Sequence, residues 1–115
     1  MSYSASAAIN NTLIGPVTLL DAQSSPVTAV TYALTVGKYI QLQYSIIRNG
    51  ETSTGLLVLC HDGVNVSLAD GPNASIGNLG IQFSAIISGP NILVQYTSTS
   101  TGFNAFLKYY EKKWN

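Results

Sequence analysis

Cys60, His61 and Asp62 place a thiol, an imidazole and a carboxylate at consecutive positions, the groups from which a cysteine nucleophile and its base are assembled. Their adjacency works against that use. Successive residues of a strand point to opposite faces, so Cys60 and His61 diverge instead of sharing a proton, and Cys60 reads as a small buried hydrophobe beside a strand-end histidine. The remaining acids, Asp21, Glu51, Asp70 and Glu111, are scattered along the chain, so no carboxylate pair offers the acid and base of a hydrolase. With a single His and a single Cys, a metal would depend on these acids and on loop carbonyls. Asp70-Gly71-Pro72-Asn73 comes nearest to a calcium loop, but it lacks a second carboxylate and reads as an Asx-type turn. Gly77-Asn78-Leu79-Gly80 lacks the lysine and the following helix of a phosphate loop. The expectation is a non-enzymatic chain with no catalytic residue, no metal site and no cofactor.

Composition narrows the partners. Of 115 residues, five are Lys or Arg and five are Asp or Glu, 9% in all with zero net charge, against about a quarter in an ordinary soluble domain. Lys112-Lys113 is the longest basic run, too little for counterion release to drive nucleic-acid binding. One cysteine excludes an internal disulfide and fits a reducing compartment. The opening Met1-Ser2-Tyr3-Ser4-Ala5 has neither the basic nor the continuous apolar region of a secretory leader. Nor does any stretch approach the roughly 18 apolar residues of a membrane-spanning helix. The length suits a single domain with its own core. Neutral Ser, Thr, Asn and Gln replace the missing charge, and these residues favour strands and turns over exposed helices.

The elements follow from alternation and punctuation. Val30, Tyr32, Leu34 and Val36 recur with a period of two, as do Ile40, Leu42, Tyr44 and Ile46 before the turn Arg48-Asn49-Gly50-Glu51; Asn-Gly is a strong hairpin signal. Thr54 to His61 is the partner strand, and its run Leu56-Leu57-Val58-Leu59 reads as covered on both faces. Asp62-Gly63 turns the chain into Val64, Val66 and Leu68. Residues 70–80, rich in Gly, Pro and Asn, are expected to form a loop. Ile81, Phe83, Ala85 and Ile87 then alternate up to Ser88-Gly89-Pro90-Asn91, followed by Ile92, Val94 and Tyr96. Residues 104–114 fit both helical and strand spacing, and the absence of a capping signal favours a strand. Thr12 to Leu20 adds a strand interrupted near Gly15-Pro16, where proline implies an edge or a bulge.

About eight short strands with no intervening helix predict an all-β fold. Both a jelly-roll-like antiparallel sandwich and an up-and-down barrel are compatible with this rhythm. The break at 70–80 suits a crossing between two sheets and favours the sandwich. Residues 1–27 are read as an extended N-terminal arm with the first strand, and 28–115 as the sandwich domain; the arm is free by composition unless it docks on a neighbour.

Among the aromatic residues, Tyr32, Tyr44 and Tyr96 share the alternation of the core face. Tyr3, Phe106, Tyr110 and Trp114 are less easily placed inside and are the candidate interface, because aromatic residues concentrate where binding surfaces are depleted of charge.

Five segments in this order resemble a small β-domain of tailed-bacteriophage virion proteins, found on head surfaces and on tail appendages: Tyr44-Ser45-Ile46-Ile47-Arg48, Thr54-Gly55-Leu56-Leu57, Asp62-Gly63 with its following Val-x-Val-x-Leu, Gly80-Ile81-Gln82-Phe83-Ser84-Ala85, and Thr101-Gly102 through Lys108-Tyr109. The likeness spans about residues 28–114. Each piece alone is common strand-and-turn grammar, and the order carries the likeness. Such domains often close a long fibre polypeptide, whereas here about 27 residues precede the domain, which looks more like a decoration, cement or adaptor protein. The resemblance implies a virion protein made in the host cytoplasm and not its location on the particle; capsid decoration is the role expected from the short chain. Its expected partners are copies of itself, as a homotrimer, and the major capsid protein or another virion protein, with no nucleic acid and no membrane. The alternative it implies is a tail-fibre or baseplate tip that recognises host glycan.

Overall fold

The computed structural model describes residues 12–115. Eight strands follow one another: β1 (Ile14–Leu19), β2 (Val27–Ala33), β3 (Tyr39–Arg48), β4 (Glu51–His61), β5 (Val66–Ile76), β6 (Ile81–Ser88), β7 (Asn91–Ser98) and β8 (Ala105–Trp114). They form a five-stranded sheet in the order β1-β8-β3-β4-β5 and a three-stranded sheet in the order β2-β7-β6, with antiparallel pairing throughout. This is the expected all-β sandwich of eight strands, and residues 105–114 are a strand.

The core consists of the inward rows. β3 contributes Ile40, Leu42, Tyr44 and Ile46, β8 contributes Ala105, Leu107 and Tyr109, β4 contributes Leu57 and Leu59, and β7 contributes Ile92, Val94 and Tyr96. Val30 and Tyr32 of β2 close the far side, with Leu19 and Leu79 at one end. All three tyrosines expected inside, Tyr32, Tyr44 and Tyr96, are buried. Each gives its hydroxyl a partner, as a buried phenol requires. Tyr32 donates to Glu111 at 2.6 Å and Tyr44 to Asp70 at 2.9 Å, while Tyr96 Oη accepts the Leu20 amide at 2.9 Å. Burial, reinforced by the facing carboxylate, pushes the Tyr32 and Tyr44 hydroxyls well above the usual phenol range.

Several boundaries differ from the sequence reading. The segment expected to be a loop at 70–80 is mostly strand: β5 continues through Asp70-Gly71-Pro72-Asn73 to Ile76, and only residues 77–80 cross between the sheets. β5 is an edge strand, where a proline without an amide donor does little harm, and the register with β4 shifts between Gly55 and Leu57 to absorb the irregularity. The Asp62 turn is longer than expected, since β4 and β5 meet at His61 and Val66. Asp62 accepts the amides of Val64 and Asn65, which leaves Val64 exposed instead of opening the strand. The alternation that reached Val36 ends at Ala33, and Leu34–Val36 forms a short 3-10 turn.

The extended arm of the sequence reading falls in part on residues 1–11, outside the described residues. The portion from Ile14 onwards docks on its own chain as β1, an edge strand with a register shift between Ile14 and Val17, at the Gly15-Pro16 interruption. Farther on, Gln23 donates its amide to Ser98 Oγ at 2.9 Å.

Arg48 is the largest departure. Expected at a surface turn, it is 2% exposed because it continues the inward row Ile40, Leu42, Tyr44, Ile46. A buried guanidinium needs acceptors for its whole fork, and four are supplied: Asp21 Oδ1 at 2.6 Å and the carbonyls of Leu79, Thr99 and Phe103 at 2.7, 2.7 and 2.9 Å. Asp21 also accepts the amides of Thr101 and Gly102 at 2.8 and 3.0 Å. Those backbone donors, with Arg48 beside them, hold its carboxyl below the usual carboxylate range. One ion pair thus clamps the segments that follow β1, β5 and β7.

Candidate functional site

Antiparallel register brings the predicted aromatics to one surface. On β8 the odd residues face the core, so Phe106, Lys108, Tyr110, Lys112 and Trp114 point out from the five-stranded sheet. Opposite them on β3 stand Ile47 across from Phe106, Gln43 across from Tyr110, and Tyr39 across from Trp114. One strand farther, Leu56 lies opposite Gln43, Val58 opposite Gln41, and Cys60 opposite Tyr39. Phe106, Tyr110, Tyr39 and Ile47 are 42, 41, 42 and 52% exposed. That is substantial apolar area for a rigid, half-polar surface to present to water.

Tyr39 and Trp114 stack with ring centroids 5.6 Å apart and 26° between planes, within the range of favourable aromatic pairs. Lys112 Nζ lies 5.3 Å from the Trp114 ring centroid, close enough for a cation–π contact. The stacked pair forms one wall of a shallow, largely apolar groove of about 300 Å³, floored by Val58, Cys60 and Ala69 with Gln41 alongside. Across the paired positions of β8, β3 and β4 the outward residues include two lysines, Lys108 and Lys112, and no carboxylate.

Three of the candidate residues, Phe106, Tyr110 and Trp114, therefore share one face of one strand, whereas Tyr3 lies outside the described residues. Sequence reasoning missed Tyr39, Gln41, Leu56 and Val58 as members of the same surface. Its signal was the parity of β3 and β4, legible only once the register between strands is known. The run Leu56-Leu57-Val58-Leu59 is buried on the Leu57 and Leu59 side and half-buried on the other, so its outward half adds to this surface.

Cys60, His61 and Asp62 do separate jobs. Cys60 is exposed in the groove and not buried as expected, because its parity is that of Val58. The Gly63 amide donates to His61 Nδ1 at 3.1 Å, so Nε2 carries the proton and donates to the Gly37 carbonyl at 2.8 Å. Asp62 is occupied by the turn, and the amides of Asn65 and Val64 hold its carboxyl below the usual range. Asp70 accepts from Tyr44 and from Asn73 Nδ2 at 3.4 Å, so it braces β5 against β3. Among the described residues, no three of His, Cys, Asp and Glu gather as a possible ligand set.

No protein-family model, no curated protein and no solved structure matches this chain.

Proposed function

We propose that this chain is a non-enzymatic structural protein that works by packing the outer face of its five-stranded sheet against protein neighbours. The observation that carries the reading is the row Phe106, Tyr110 and Trp114, extended by Tyr39 and Ile47 into one surface without a carboxylate. Burying such a surface desolvates few ions, and aromatic side chains supply large contact area at small entropic cost. The setting, a bacteriophage particle, rests on the resemblance in the sequence; the role we propose there is capsid decoration, with copies of the chain and the capsid protein as partners. Many modest contacts held by a symmetric shell reinforce one another, so no single strong site is needed.

Gold-labelled antibody against the chain, applied to particles of a phage that encodes it, tests this directly. Label over the whole head is the expected result, and absence of the chain from purified particles overturns the virion reading. Label at the tail would favour the second reading, a glycan-recognising tip. The observation that favours that alternative is the Tyr39 and Trp114 stack beside Gln41, since sugars bind to aromatic faces flanked by amide donors and acceptors.

A further inference from the structure

A strand at the end of a sheet exposes unpaired amides and carbonyls, and natural proteins blunt such edges with proline, charge or irregular register. This sandwich has four edges, and three are blunted. β1 carries Pro16 and a register shift, β2 follows Pro26 and shifts between Thr28 and Val30, and β5 contains Asp70 and Pro72 with a shift against β4. The fourth, β6, reads Ile81-Gln-Phe-Ser-Ala-Ile-Ile-Ser88, without proline, glycine or charge, and it pairs with β7 in unbroken register.

We propose that β6 is a pairing edge and that its occupant is β6 of a second copy, antiparallel across a two-fold axis. The β6–β7 hairpin closes on Ser88 and Asn91 with two residues between them, which makes that flanking pair hydrogen-bonded. Alternation then aims the amides and carbonyls of Ile81, Phe83, Ala85 and Ile87 at the open edge. These four side chains form the inward row of β6 and are only half-buried. Beside Ile81 and Phe83 a cleft of about 230 Å³ opens between β6 and β5, lined also by Tyr44, Asp70 and Asn73. An added strand extends the small sheet over this open side and covers the half-buried row.

A second copy suits the edge because the strand complements itself. With Ala85 on the axis, Phe83 of one copy lies opposite Ile87 of the other, Gln82 opposite Ser88 and Ser84 opposite Ile86, so the inward row pairs apolar with apolar and no like charges are opposed. A two-fold contact closes on two copies, so the trimer implied by the sequence would need another surface. The proposal uses a different face from the outer aromatic surface and stands or falls separately from it.

The test is amide hydrogen exchange on the intact chain across a dilution series from high to low micromolar, alongside native mass spectrometry. The expected result is a dimer at the upper end, with Ile81, Phe83, Ala85 and Ile87 amides protected there and released on dilution. Two variants then block the edge. Ala85→Pro removes an outward donor without touching the ladder to β7, and Ile86→Lys puts a charge beside the seam. Ala85→Pro should weaken the dimer by about thirtyfold or more, the loss of a ladder bond on each copy, and Ile86→Lys should weaken it by setting a charge from each copy beside the seam, with both variants still folded by circular dichroism. A monomer throughout the series, concentration-independent exchange at these amides, or a dimer unaffected by a folded edge variant would overturn the proposal.

Discussion

The guanidinium of Arg48 is the residue on which the most backbone converges, since its donors reach Asp21 and three carbonyls from two other crossings. Removing it takes one partner from Asp21, which keeps the Thr101 and Gly102 amides, and leaves three carbonyls to find other partners. Arg48→Ala is therefore expected to cost at least about 1–3 kcal/mol, the range for leaving a buried acceptor without its donor, measured by urea denaturation. Arg48→Lys should recover only part of this, because an ammonium cannot reproduce the planar fork. The same site sets an acid limb. Asp21 has its folded pKa lowered, chiefly by the Thr101 amide, so the stability it contributes is complete above the unfolded value of about 3.9 and is lost as pH falls through the folded one. Below about pH 4 urea midpoints should fall, and Asp21→Asn should lower stability at neutral pH and flatten that fall. An unchanged acid slope in Asp21→Asn would assign the limb to other carboxylates.

At the scale of elements, the sandwich depends on close approach between backbones at its edge. Gly15 has φ 118°, and a methyl there would stand 2.5 Å from the Leu107 carbonyl oxygen on β8. Neither conformation nor space admits a side chain. Gly15→Ala should destabilise the chain by about 1–3 kcal/mol and raise exchange at β1 before the rest of the sheet, a local loosening that amide exchange resolves by strand. Strand identity was largely legible in the sequence, because alternation and turn chemistry agree over β3, β6 and β7, whereas β8 fitted helical and strand spacing alike and only the missing capping signal favoured the strand. β5 was not legible, since Gly71 and Pro72 signal a loop unless the strand is known to be an edge. Arg48 could have been found from its parity with Ile40 through Ile46, but its charge spoke for a turn. The outer surface was half legible: Phe106, Tyr110 and Trp114 stood out by type, while Tyr39 and Val58 join them only through cross-strand register, which no local pattern encodes.

Over the whole molecule, scarcity of charge takes on a direction. β2, β6 and β7 contain no charged residue, Arg48 with Asp21 and Glu111 with Lys113 are paired, and the outward side of β8 keeps Lys108 and Lys112. The sheet surfaces are thus left mostly neutral, which keeps the desolvation cost of covering them small. If the outer aromatic face serves binding and the inner face serves folding, neighbouring residues of β8 should separate the two. Leu107 is 1% exposed and Phe106 is 42% exposed on the same strand. Leu107→Ala should cost about 2–5 kcal/mol by opening a cavity, with a matching fall in thermal midpoint. Phe106→Ser combined with Tyr110→Ser should change stability by about 1 kcal/mol or less and yet abolish retention of the chain on particles stripped of it and then reconstituted. Retention unaffected by the double variant would remove this face from the binding surface, and a collapse of stability in it would show that the aromatic row belongs to the fold instead.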